Sequence, residues 1–322
     1  MGLIERLAQE ANKNPKKIVF PEGDNPEIIA AAKALERDGA VKPIILASHP
    51  HLASPIKGEE IKVIELEEDK ERLARFSEIY AQKNQTNPKI AQRLCRRNIF
   101  FGAMMVATGE ADGMVAGIDA ATAIVLQSAA LAIGLAPGIS IPSSFFIMVF
   151  PELFGEKEKV LIYADCAAAI EPDSEQLAGI AVLTARNAKR LLGIEPKVAF
   201  LSFSTKGSAT HSRTKKVIGA VELAGKMAPE IEFDGELQAD AALVPRVAAK
   251  KAPESTVAGR ANVLIFPDLD SGNIAYKLSQ YLAGATAYGP IVQGFAKPVN
   301  DLSRGAIARD IYGVAVITAL LG

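Results

Sequence analysis

Short apolar runs of strand length recur along the chain between longer stretches with helical spacing. They are Ile18-Val19-Phe20, Pro43-Ile44-Ile45-Leu46, Ile61-Lys62-Val63-Ile64, Met114-Val115-Ala116, Val160-Leu161-Ile162-Tyr163, Val198-Ala199-Phe200-Leu201 and Val263-Leu264-Ile265-Phe266. Strands alternating with helices predict a parallel α/β architecture. Asp173-Ser174-Glu175-Gln176 opens one intervening helix as a variant capping box. Leu177, Ile180, Thr184, Ala188 and Leu191 mark its buried face, and Gly193 ends it. Near the C-terminus, Ile307, Ile311, Val314, Thr318 and Leu321 recur at helical spacing with one buried stripe. The apolar stretch from Ala129 to Phe150 is interrupted by Gly134, Pro137, Gly138 and Pro142, so it reads as a helix end, a turn and a buried strand, with no membrane span.

Several strands end in polar or glycine-rich turns: Pro21-Glu22-Gly23-Asp24, Gly117-Ile118-Asp119, Asp165-Cys166, the run from Ser202 to Ser208, and Pro267-Asp268-Leu269-Asp270. In open parallel sheets ligands bind outside the carboxyl ends of the strands, so a site is expected among these turns. Neither GxxxxGK[ST] nor GxGxxG occurs, which argues against a P-loop hydrolase or an ordinary dinucleotide enzyme. The loop Ser204-Thr205-Lys206-Gly207-Ser208 offers hydroxyls, a lysine and flexible amides, a set suited to phosphate and equally to a solvated turn.

With 322 residues, two domains are expected rather than one. A net charge of −1 provides no general field for nucleic acid, and no basic patch with interleaved aromatics is present. Two cysteines, Cys95 and Cys166, make no disulfide framework, and three histidines supply a Cys/His metal site poorly, so reduced thiols in the cytoplasm are expected. The mixed-charge N-terminus does not read as a signal peptide.

The densest chemistry lies in Asn300-Asp301-Leu302-Ser303-Arg304-Gly305-Ala306 with Asp310: a hydroxyl, a guanidinium and carboxylates within ten positions. If the segment is helical throughout, with Arg304 near its start, Ser303 and Asp310 project from nearly the same face, roughly 10 Å apart along the axis. A carboxylate at the edge of an apolar stripe loses solvation, which raises its pKa and suits it to general base work, and Arg304 carries a fork suited to phosphate. On the local pattern alone, a plainer reading stands beside this: Ser303 or Asp301 caps the helix, and Asp310 pairs with a basic side chain.

Taken together these motifs resemble the phosphate acetyltransferase (phosphotransacetylase) family, in its short ethanolamine-utilisation-like form. The likeness rests on Phe20-Pro21-Glu22-Gly23, the Ala111-to-Gly117 turn, Ala164-Asp165-Cys166, the Leu201-to-Ala209 run, Asp234-Gly235-Glu236-Leu237-Gln238, Phe266-Pro267-Asp268-Leu269 and the Pro298-to-Gly305 run, and spans nearly the whole chain. It implies two Rossmann-like three-layer α/β/α domains with mainly parallel sheets and an interdomain cleft. One domain would hold residues 1–137 with 291–322, which carries the C-terminal helix, and the other residues 138–290. The implied reaction is acetyl-CoA plus phosphate giving acetyl phosphate plus CoA, with CoA as substrate, no tightly bound cofactor, no metal and a homodimeric enzyme. The resemblance assigns the thiol's base to Asp310, assistance at the thiol and carbonyl to Ser303, phosphate to Arg304 and Arg96, and substrate contacts to Asn300 and Ser204-Thr205-Lys206-Gly207-Ser208.

The chain departs from this pattern at Gln127, where family members commonly carry a second phosphate-binding arginine. Losing a charge-assisted contact is worth roughly 1.5–3 kcal/mol, about tenfold or more in affinity. The departure leaves three expectations: weaker phosphate binding, recruitment of another cation such as Lys206 or Arg97, or a different acyl donor. A longer-chain acyltransferase, such as a butyryl enzyme, and a CoA-binding module without catalysis stand as alternatives.

Overall fold

The computed structural model describes residues 2–47 and 61–322. The chain divides into two units, Met1–Pro137 with Phe295–Gly322, and Gly138–Gly294. The first unit begins with α1 (Leu3–Asn12), β1 (Lys16–Phe20), α2 (Pro26–Arg37), β2 (Val41–Ala47) and β3 (Lys62–Glu65). It continues through α3 (Lys70–Asn84), α4 (Pro88–Cys95), α5 (Asn98–Thr108), β4 (Gly113–Ala116) and α6 (Thr122–Ala132). Capping chemistry starts these helices: the Asn25 side chain accepts from Glu27 N–H ahead of α2, and Asn87 accepts from Lys89 N–H ahead of α4. Each of these two helices also has proline at its first position, where the missing N–H is no loss.

The chain then enters the second unit through β5 (Ser143–Leu153) and β6 (Glu156–Ala164), an antiparallel pair joined by Phe154 and Gly155, both with positive φ. That backbone suits the twist of a tight hairpin. There follow α7 (Ser174–Leu192), β7 (Lys197–Leu201), α8 (Ser212–Met227), β8 (Glu232–Leu237), α9 (Ala239–Leu243), α10 (Pro245–Lys251), β9 (Val263–Ile265), α11 (Leu269–Leu282) and β10 (Thr286–Gln293). The expected capping box of α7 is present, with Gln176 N–H on Asp173 at 2.9 Å and Asp173 N–H on Gln176 at 3.0 Å. Gly193 ends the helix at φ +64°. The sheet order is β10-β5-β6-β9-β7-β8, antiparallel across β10, β5 and β6 and parallel through the rest.

β10 runs to Gln293 within the second unit, so the chain rejoins the first unit at Phe295, beyond the expected position 291. There it adds β11 (Val299–Asp301) and α12 (Ala308–Leu321). The first sheet has the order β11-β4-β1-β2-β3 and is parallel throughout. Alternating strand residues serve its two faces. Val19, Ile44, Leu46 and Ile64 pack with Phe76, Phe100 and Phe101 on one side, and Ile45 packs with Ala32 and Ile61 on the other. The two α/β units with mainly parallel sheets agree with the architecture expected from the sequence. The C-terminal helix starts later than expected: residues 302–307 are non-helical, and a turn closed by Ala306 N–H on Ser303 C=O at 2.9 Å holds Arg304 outside α12.

Candidate active site

In the first unit the chain runs from β1 outward to β2 and β3, then crosses back to β4 on the other flank of β1. The β1/β4 boundary is therefore a topological switch point, where the turns diverge and leave a crevice at the strand carboxyl ends. Glu22, just past β1, closes the base of that crevice. Its carboxylate accepts from four consecutive backbone amides after β4: Gly117 at 2.6 Å, Ile118 at 3.1 Å, Asp119 at 3.0 Å and Ala120 at 2.8 Å. Successive N–H groups turned to one point form an anion-binding concavity, here filled by the protein's own carboxylate. Asn25 Nδ2 donates to both oxygens of Asp119 at 3.2 Å.

Gly117 sits at φ +107°, and a Cβ there would fall 2.1 Å from Asp301 Oδ1, so only glycine lets β11 approach. Asp301 is 2% exposed. Thr122 Oγ1 donates to its Oδ2 at 2.6 Å, while its Oδ1 is buried with no hydrogen-bond partner among the described residues. Burial pushes the Asp301 carboxyl up to about 6; the Thr122 hydrogen bond opposes this, and the charge of Glu22 adds to it.

Asn300, expected at the substrate, is fully buried, and its amide donates to Thr318 Oγ1 at 2.6 Å. Thr318 Oγ1 in turn donates to Val314 C=O at 2.7 Å, so Asn300 ties β11 to α12. Ser303 and Arg304 stand exposed on the turn that follows. Asp310, half-buried, turns its carboxylate back over the start of α12, where it accepts from Ile307 N–H at 3.2 Å. Glu27 accepts from Ala308 N–H at 2.6 Å, fixing the same helix start to α2.

A pocket of about 440 Å³ opens at the switch point. Its polar lining includes Glu22, Arg97, Asn98, Asp119 and Gln127, and Leu94, Ile124 and Leu131 supply apolar wall. Arg96, taken from the sequence as a phosphate ligand, does not line this pocket with Gln127. It lines a separate hollow of about 520 Å³ with Glu67 and Lys70. The neighbouring Arg97 is the arginine that shares the pocket with Gln127.

In the second unit, the donors of the Ser204-to-Ser208 loop are largely taken by the protein itself. Ser204 Oγ donates to Glu236 Oε1 at 2.7 Å, and Gly207 N–H donates to the same oxygen at 2.8 Å. Thr205 Oγ1 accepts from Gln238 N–H at 2.9 Å, and Ser208 Oγ accepts from Thr205 N–H at 3.0 Å. Lys206 pairs with Asp234. His211 caps α8, its Nδ1 accepting from Arg213 N–H at 3.2 Å. Asp165 plays the part of Glu22 in this unit, accepting from the backbone amides of Ser144, Ala167, Ala168 and Ala169. Cys166 is buried beside it, and desolvation pushes its thiol well up, with the Asp165 charge adding to the effect. The sequence held no local sign of the Glu22 centre, because Glu22 meets amides about a hundred positions away.

The profile of the family described as Phosphate acetyl/butaryl transferase matches residues 2–319. The phosphate acetyltransferase of Thermoanaerobacterium thermosaccharolyticum is 47% identical over 327 residues, covering 99% of each chain. That of Bacillus subtilis is 42% identical, covering 98% of each. Among solved structures, a phosphotransacetylase from Streptococcus pyogenes superposes with a TM-score of 0.90 at 42% identity, covering 99% of this chain and 97% of that one. The EutD phosphotransacetylase from Staphylococcus aureus does so with a TM-score of 0.89 at 39% identity and the same coverage.

Proposed function

Because this chain belongs to the Phosphate acetyl/butaryl transferase family, we propose that it works as a phosphate acetyltransferase, moving an acetyl group reversibly between CoA and inorganic phosphate. The observation that carries the assignment to particular residues is the exposed Ser303–Arg304 turn after β11, with the Asp310 carboxylate turned back over the start of α12. Written toward acetyl-CoA, Asp310 takes the proton of the CoA thiol. A free thiol has a pKa near about 8.5 and attacks as its thiolate, so a positioned base raises the rate. The sulfur forms a bond to the acetyl carbon, and negative charge gathers on the carbonyl oxygen, where the Ser303 hydroxyl donates. Collapse breaks the bond from carbon to the phosphate oxygen, and Arg304 holds the departing phosphate through its fork. The proton left on Asp310 returns to phosphate or water.

CoA enters as a substrate, and the reaction draws on no tightly bound cofactor. We place the protein in the cytoplasm, a reading supported by the buried, unpaired thiols of Cys95 and Cys166. No helix of the described residues is long and apolar enough to cross a membrane. A homodimer is supported by α11, whose Ile274, Leu278, Tyr281 and Leu282 form an exposed apolar stripe in the second unit.

The test is phosphate-dependent release of CoA from acetyl-CoA by the purified protein, with Asp310→Asn beside it. Activity in the parent and a loss of about 10²–10⁴-fold in the variant is the expected result. A parent that binds CoA and releases none with phosphate rejects the reading.

A further inference from the structure

We infer that Arg97 is the phosphate-holding cation of the switch-point pocket in this chain, standing in for the arginine absent at Gln127. The inference rests on the phosphate acetyltransferase reading for the identity of the anion; its placement rests on the first unit alone. Arg97 is the one basic side chain among the described residues lining the pocket, and Gln127 lies in the same lining. No hydrogen bond or ion pair among the described residues reaches its exposed guanidinium. An exposed charge facing a crevice with no partner is available to a ligand at no loss of an internal pair.

Three carboxylates share the lining with it, Glu22, Asp24 and Asp119, and two of them are held by the protein's own donors. Glu22 is engaged by four backbone amides, and Asp119 accepts from Asn25. Arg97 is also the N-cap residue of α5, a helix of 11 residues with no side-chain cap, and its first-turn residues Asn98, Ile99 and Phe100 line the same pocket. A guanidinium beside the positive end of a helix favours an anion over a cation. The amide of Gln127 adds a neutral donor to the lining that can hydrogen-bond a phosphate oxygen, while the Asn98 amide donates to Pro21 C=O at 3.2 Å. Arg96, one position earlier, is turned to the hollow shared with Glu67 and Lys70.

The experiment titrates inorganic phosphate into the full-length protein by calorimetry and, separately, measures the phosphate KM of CoA release. Arg97→Gln is expected to weaken phosphate binding and raise its KM by roughly tenfold or more, with the acetyl-CoA KM changing much less. Arg97→Lys should keep part of the affinity, because the charge stays and the fork is lost. Adding Gln127→Arg to Arg97→Gln should restore binding. Unchanged phosphate affinity in Arg97→Gln overturns the inference, as does a parent that binds no phosphate or a loss confined to Arg96→Gln. A parent that binds phosphate through Arg97 without releasing CoA rejects the acetyltransferase reading and leaves this assignment standing.

Discussion

Glu22 accepts a 2.6 Å hydrogen bond from the backbone amide of Gly117, joining the turns after β1 and β4 at the residue whose missing Cβ admits Asp301. One carboxylate thereby positions two of the three turns that surround the pocket. Glu22→Ala removes the acceptor of four amides at once and is expected to destabilise the protein by about 3 kcal/mol, the scale of hydrogen bonds to a charged group. Glu22→Gln keeps one acceptor oxygen and should lose less. Urea unfolding with matched slopes measures both, and a Glu22→Ala midpoint equal to the parent's would reject the role given to this contact.

Asp301 makes stability depend on pH in an unusual direction for a carboxylate. Its folded-state value is raised from 3.8 to about 6 by burial, so the native state binds the proton more tightly than the unfolded chain. The contribution is fully present below about pH 4 and is lost as pH rises through about 6, a swing of roughly 3 kcal/mol at 1.36 kcal/mol per unit. Asp301→Asn should abolish this component. Subtracting the variant's unfolding free energy from the parent's at each pH should give a difference that falls between pH 4 and 6.5; a flat difference contradicts it.

Glu236 is 2% exposed and receives both Ser204 Oγ and Gly207 N–H on one oxygen. Glu236→Gln is expected to destabilise the second unit by about 2 kcal/mol and to speed amide hydrogen exchange across residues 204–209. Exchange in β7 should change far less. Equal exchange in the loop of parent and variant would show that Glu236 does not hold it.

The α11 stripe includes Tyr281 and Leu282 at 80% and 81% exposure. Charged residues carry a desolvation penalty when an interface covers them, so Leu278→Glu combined with Leu282→Glu should convert the proposed dimer to a monomer by sedimentation, with the fold kept by circular dichroism. A double variant that sediments as a dimer rules this face out.

Much of the fold was legible because its signals are local. The apolar runs at Ile18, Ile44 and Val198 became strands, and the Asp173/Gln176 pair with Gly193 bounded α7 as its residue types demand. What escaped was set by distant partners. The helix carrying Asp310 starts only at Ala308, because Glu27, far away in sequence, supplies an acceptor there and the Ser303–Ala306 turn precedes it. The choice between Arg96 and Arg97 could not be read from two identical neighbours, since a single step around the α4–α5 junction sends them to different hollows. The phosphate cradle expected at Ser204-to-Ser208 had the right groups, and Glu236 satisfies several of them. Asn300 likewise looked like a ligand by type and serves to join β11 with α12.

The second unit interrupts the first between Pro137 and Phe295, and this sets an order of assembly. During synthesis, β4 emerges long before β11, its neighbour on one side, and α12 follows later still. The inserted unit has all its strands in hand first, and can close while the earlier segment still presents an unpaired strand edge. The growing chain thus carries an unpaired β4 edge for the whole time the ribosome needs to make residues 138–298, and the Asn300-to-Asp310 segment can join the first sheet only after the inserted unit has been made.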